Sequence, residues 1–141
     1  MIGDITMAKF QRGLDFPYEG FVQMAIEKYF KDRGYRIIQE GYTDLVCVYE
    51  ETGRKWVVEA KGKTTSIGLD FRTGLGQLVQ RMNNPEVNYA IAVPKIEQFI
   101  KQCRQLSKWV RTSLNIHLLF IDEQGNVQVV SPQDNVFQYI G

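Results

Sequence analysis

Histidine is almost missing from this chain, and cysteine and proline are scarce: one, two and four respectively among 141 residues. With His117 alone, any mechanism that needs two imidazoles is excluded, a His-rich zinc centre included. Cys47 and Cys103 each sit inside an apolar segment, in no CxxC or metal-like spacing, and read as buried thiols of a reducing compartment. No apolar run approaches the ~18 residues of a membrane span. The N-terminus MIGDITMAKF also lacks the apolar stretch of a secretory signal. A soluble, cytoplasmic protein with no membrane partner is expected. Chemistry in such a chain falls to carboxylates and lysine.

An excess of one charge is missing too. Seventeen Lys and Arg face sixteen Asp and Glu, a formal net charge of +1. Avid, non-specific nucleic-acid binding usually shows as a clearly basic domain, so any DNA-facing surface must come from local clustering.

What is present is the material for a core. The chain is 44% hydrophobic and 12% aromatic at the length of one ordinary domain, which excludes disordered, collagenous and low-complexity classes. No repeat, linker or compositional break divides residues 1–141, so they are read as a single domain. Pro17 suits a first helical position. Tyr18 to Arg33 then reads as an amphipathic helix, with Phe21, Val22, Ala25, Ile26, Tyr29 and Phe30 on one face and Gly34 as its stop. Tyr35 to Ile38 is a short strand. A Gly/Ser/Thr-rich turn precedes a helix over Leu69–Met82, whose stripe is Phe71, Leu75, Leu78, Val79 and Met82, weakened by Gly74 and Gly76. Tyr89–Val93 is a buried strand, and Lys95–Thr112 one long helix. Ile116–Ile121 and Val127–Val130 are further strands. The order αβββαβαβ plus a tail predicts an α/β fold, a mixed central sheet flanked by helices.

Asp44–Glu50 and Lys55–Lys61 are both strand-like, and Thr52-Gly53 between them predicts a two-residue hairpin turn. That register sets Glu51 opposite Arg54, Glu50 opposite Lys55 and Tyr49 beside Trp56. It also sets Asp44 opposite Lys61 and Val46 opposite Glu59. Asp44, Glu59 and Lys61 should then share one face of the sheet. Two carboxylates converging from such positions can hold one hard cation. Mg²⁺ suits them, because it takes one or two carboxylates and keeps several waters. A lysine ammonium alongside could orient a water or stabilise charge developing on a phosphate. The alternative is a solvated cross-strand ion pair between Asp44 and Lys61, worth ~0–1 kcal/mol. Against it, Glu59 follows Trp56-Val57-Val58 and precedes Ala60, an apolar setting in which a carboxylate needs a partner or a metal.

Asp44, fourteen residues, then Glu59-Ala60-Lys61 resembles the D…ExK signature of the PD-(D/E)XK nuclease superfamily, the restriction-endonuclease-like fold. Thr43 replaces the usual proline before the aspartate. The resemblance implies a metal-dependent DNA endonuclease of repair, recombination or restriction. Asp44 and Glu59 would bind Mg²⁺ (or Mn²⁺), and Lys61 would assist the attacking water. Many members add a glutamate from the first helix. Glu19 lies about 70° from the centre of the apolar face and Glu27 about 150°, so Glu19 is the choice. A carboxylate serving only the helix dipole is its alternative. Gly-Leu-Gly-Gln77 resembles the glutamine that RecB-like members carry after ExK, although Arg81 stands where their tyrosine follows. In projection Gln77 lies opposite the predicted stripe. A homodimer follows by analogy, since cutting two strands wants two sites. A partial likeness to cyanobacterial element-excision controlling factors implies another class: a nuclease-like DNA-binding or accessory factor that works with recombination partner proteins and does not cut.

Lys63 and Arg72 could touch phosphates near such a site. The stripe Lys101, Arg104, Lys108 and Arg111 could track a DNA backbone. An ordinary solvated surface is the alternative in each case.

Overall fold

The computed structural model describes residues 13–38 and 45–136. Its elements are α1 (Glu19–Asp32), β1 (Arg36–Ile38), β2 (Leu45–Tyr49), β3 (Arg54–Ala60), α2 (Ile67–Gln80), β4 (Asn88–Pro94), α3 (Glu97–Arg104), α4 (Lys108–Leu114), β5 (Ile116–Ile121) and β6 (Val127–Val130). The strands form one sheet in sequence order. β1, β2 and β3 are antiparallel neighbours, β4 and β5 join in parallel, and β6 returns antiparallel. The predicted mixed sheet flanked by helices is what the chain forms. Among the described residues no helix is long and apolar enough to cross a membrane.

Side-chain alternation divides the core between the two faces of the sheet. Val22, Ile26 and Phe30 of α1 pack on Leu45, Cys47, Val58, Ala60, Ala90, Ala92, Leu119 and Ile121. On the other face Phe71 of α2 and Phe99, Ile100 and Cys103 of α3 cover Ile91, Val93, Leu118 and Phe120. Leu78 of α2 sits on Val46, Val57 and Tyr89. Burial pushes both free thiols, Cys47 and Cys103, up to about 12.

Two sequence expectations are corrected. Tyr49 pairs with Arg54, Cys47 with Trp56 and Val46 with Val57, so residues 50–53 form a four-residue loop. A two-residue type I′ turn needs positive φ at both Thr52 and Gly53, which a β-branched threonine resists. In the longer loop only Gly53 is left-handed, at φ +71°. Tyr49 O closes that loop by accepting from Gly53 N at 2.8 Å. The predicted Glu51–Arg54, Glu50–Lys55 and Tyr49–Trp56 partners are all displaced; Glu50 pairs instead with Arg36 across β1. A slip of two residues leaves every side chain on its predicted face.

The second correction concerns the predicted helix Lys95–Thr112, which is broken. Gln105 ends α3, and Ser107 restarts the chain as the N-cap of α4, its hydroxyl accepting from Val110 N.

Candidate functional site

β3 runs from an exposed hairpin tip into the core, and its last residues carry the chemistry. Glu59 pairs in parallel register with Ile91, whose side chain belongs to the α2–α3 face. Glu59 therefore points toward α2, and it is 3% exposed. Lys61 follows two residues later, and its backbone N–H donates to Ala92 O at 2.9 Å, continuing the β3–β4 ladder. Its aliphatic stem crosses α2 at Gly74. A Cβ there would lie 2.6 Å from Lys61 Cε. Glu59 and Lys61 thus share the face that strand alternation predicts. Gly74 reads in the sequence as a weak point in a helix; in the fold it is the gap through which Lys61 passes.

Gly62 performs a second clearance. A Cβ on it would meet Glu19 N at 2.0 Å and Glu19 Cα at 2.5 Å, so the first residue of α1 rests against the chain directly after Lys61. Lys63 N donating to Pro17 O at 2.9 Å fastens the same junction. Of the two helix carboxylates, Glu19 is the one brought to the end of β3. Glu27, two turns on, accepts from Gln23 Nε2 at 3.1 Å.

The α2 side of the site is formed at its C-terminal end. The packed face of α2 is Phe71, Gly74 and Leu78, while Val79 is exposed, so the stripe is rotated from the sequence reading. The rotation brings Gln77 from the far side to a half-buried flank. Arg81, the C-cap, lies one turn beyond it. Arg81 Nη1 donates to Gln77 O at 3.0 Å and stands 3.7 Å from Glu59 Oε2. Arg81 was not among the sequence-derived site residues. Its spacing of seven from Gly74, two turns along one helix face, is the signal that could have found it.

The remaining candidates scatter. Asp44 lies outside the described residues. Lys63 is exposed next to the site. Arg72 is exposed on α2, with its Nη1 beside Gly68. The basic stripe does not survive the break between α3 and α4. Lys101 and Lys108 are exposed, Arg104 is half-buried, and Arg111 turns into the core at 2% exposed. Its guanidinium donates to the carbonyls of Ser131, Pro132 and Asp134 at 3.1, 3.3 and 2.9 Å, and burial lowers its pKa. Arg111 is therefore a tie holding the segment after β6, and it leaves the set of backbone-tracking candidates. His117 is structural as well, packed on the Trp56 ring with Nδ1 3.2 Å from Tyr89 O.

A buried glutamate and a lysine two residues apart, with a helix arginine beside the glutamate and a helix N-terminus against the residue after the lysine, mark one strand end of a six-stranded mixed α/β sheet. Among the described residues no group of three or more His, Cys, Asp or Glu side chains gathers.

Two solved structures share the fold. One is an XisH family protein from Nostoc punctiforme PCC 73102, with TM-score 0.55 and 22% identity, covering 77% of this chain and 98% of that one. The other is an fdxN element excision controlling factor protein from Anabaena variabilis, with TM-score 0.55 and 22% identity over 77% of this chain and 97% of that one. No family model and no curated protein matches the chain.

Proposed function

We propose that this chain is a metal-dependent DNA endonuclease of the PD-(D/E)XK type, acting in the excision or recombination of DNA elements. The observation that carries the reading is that buried Glu59 and Lys61 lie on the one sheet face closed by α2, where Gly74 gives way to the lysine. A carboxylate in that position is poorly solvated, and a divalent cation is one of the few partners that repays its burial. Oxygen donors suit magnesium or manganese: Glu59 is the buried carboxylate, Glu19 opens the helix that meets the end of the same strand, and Asp44 comes from the sequence reading alone. A bound divalent cation would supply the positive charge that eases attack on a phosphodiester.

The rest belongs to the chain's own side chains. Lys61, held along α2, presents its ammonium at the end of β3, where it orients the attacking water and stabilises charge on the phosphate. Glu19 completes the carboxylate set and Gln77 flanks it. Lys63 and Arg72, both exposed, would touch neighbouring phosphates. One site cuts one strand, so a homodimer is the natural unit for a duplex substrate.

The likeness in fold to a protein named an element excision controlling factor supports excision or recombination as the setting. A second reading, a DNA-binding accessory factor that does not cut, is favoured by Arg81, a cation of the chain itself beside Glu59. Two measurements separate the readings. Calorimetric titration with Mn²⁺ should give saturable binding that Glu59→Gln abolishes. Plasmid, junction and single-stranded substrates should be cut with Mg²⁺ present, and Lys61→Ala should slow cutting by about 10²–10⁴-fold. DNA binding without cleavage by wild type would establish the accessory reading, and a Lys61→Ala protein that cuts like wild type would dismiss the nuclease site.

A further inference from the structure

The contact between Glu59 and Arg81 is asymmetric in a way that suits a switch. The Glu59 side chain is 4% exposed and held on a central strand, whereas that of Arg81 is 26% exposed at the end of a helix. Their separation of 3.7 Å allows charge attraction but is too long for a hydrogen bond. The better bond of Arg81 is to Gln77 O at 3.0 Å, a backbone anchor that does not involve the carboxylate. Both contacts run through Nη1, so parting from Glu59 means turning the guanidinium about its bond to Gln77 O, which stays as its hold on α2.

We propose that Arg81 is an exchangeable counter-ion of the site: it neutralises Glu59 while no divalent cation is bound, and yields the carboxylate to the cation when one arrives. The guanidinium freed in this way stays on the same helix end, close to where the substrate must lie, and becomes a contact for a DNA phosphate. This rests on the reading of Glu59 as a metal ligand. Two consequences follow from competition for one carboxylate. Divalent-cation affinity is lowered by the fraction of time Arg81 occupies Glu59. DNA affinity and cation occupancy then support each other, because phosphate gains a partner only after the exchange.

Calorimetry with Mn²⁺ on wild type and Arg81→Gln tests the competition. The variant should bind Mn²⁺ about tenfold more tightly, the shift expected if Arg81 holds Glu59 roughly nine-tenths of the time. A merely structural arginine would leave that affinity unchanged or weaken it, and either result overturns the exchange. Binding of Mn²⁺ by neither protein would instead overturn the nuclease-type site itself. The second arm measures DNA binding against salt, with Ca²⁺ or with EDTA. Arg81→Gln should reduce the salt slope by about one phosphate contact in Ca²⁺ and leave it unchanged in EDTA. An equal reduction in both conditions would show Arg81 on the phosphate throughout, and would overturn the exchange even where the Mn²⁺ affinity had risen.

Discussion

Two glycines decide the geometry of the site by what they lack. Gly62 lets the backbone of Glu19 approach to a distance at which no side chain fits, and Gly74 lets the Lys61 stem cross a helix. The two are not equivalent. The atoms opposite Gly62 are backbone, which cannot give way, whereas those opposite Gly74 belong to a flexible lysine. Gly62→Ala should therefore cost about 1–3 kcal/mol of stability, as overpacking does. Gly76 faces open space on the same helix as Gly74. Gly76→Ala should be neutral or stabilise by up to about 1 kcal/mol, because alanine is the better helix former. Urea unfolding of the two variants checks both signs. No sequence pattern distinguishes these glycines, since each one's role depends on an atom far away along the chain.

At the scale of elements, the hairpin and the α3–α4 break show opposite kinds of legibility. The hairpin's register differs by two residues from the one its sequence predicts, yet the faces are kept because strand alternation has period two. That is why Glu59 and Lys61 fall together as the sequence predicts. The helix break is invisible to periodicity, since the apolar spacing continues across Leu106 while Ser107 stops the backbone ladder. Arg111 changes surroundings because of that break. A cation on a predicted solvent stripe is in fact the donor to a cluster of carbonyls at the end of β6. Arg111→Met should destabilise the fold by about 2–4 kcal/mol, because several buried carbonyls lose their donor at once. DNA affinity should not change at a temperature where the variant stays folded. Denaturant titration alongside a DNA-binding isotherm reads both; lost affinity in a fully folded variant would return Arg111 to the DNA surface.

For the molecule as a whole, the single histidine makes global stability a clean reporter of pH. Burial lowers the His117 pKa below its ordinary 6.5, outweighing the Tyr89 carbonyl that favours the charged ring; the Arg54 charge adds to the lowering. The unfolded chain therefore takes up a proton near pH 6.5 that the folded chain refuses, and stability falls as pH drops through that value. Unfolding free energy measured at pH 7.5 and 5.5 should show this loss in wild type and not in His117→Phe. The sequence alone determined the class of fold, the order of its strands and the shared face of Glu59 and Lys61. Hydrophobic spacing and strand alternation are local periodicities, and these features need nothing more. Tertiary structure alone decided the rotation of α2 that brings in Gln77 and Arg81, the close approach of the Glu19 backbone to Gly62, and the burial of Arg111. Each of these is settled by atoms distant in the chain meeting across a packed interface, where volume and charge are weighed together.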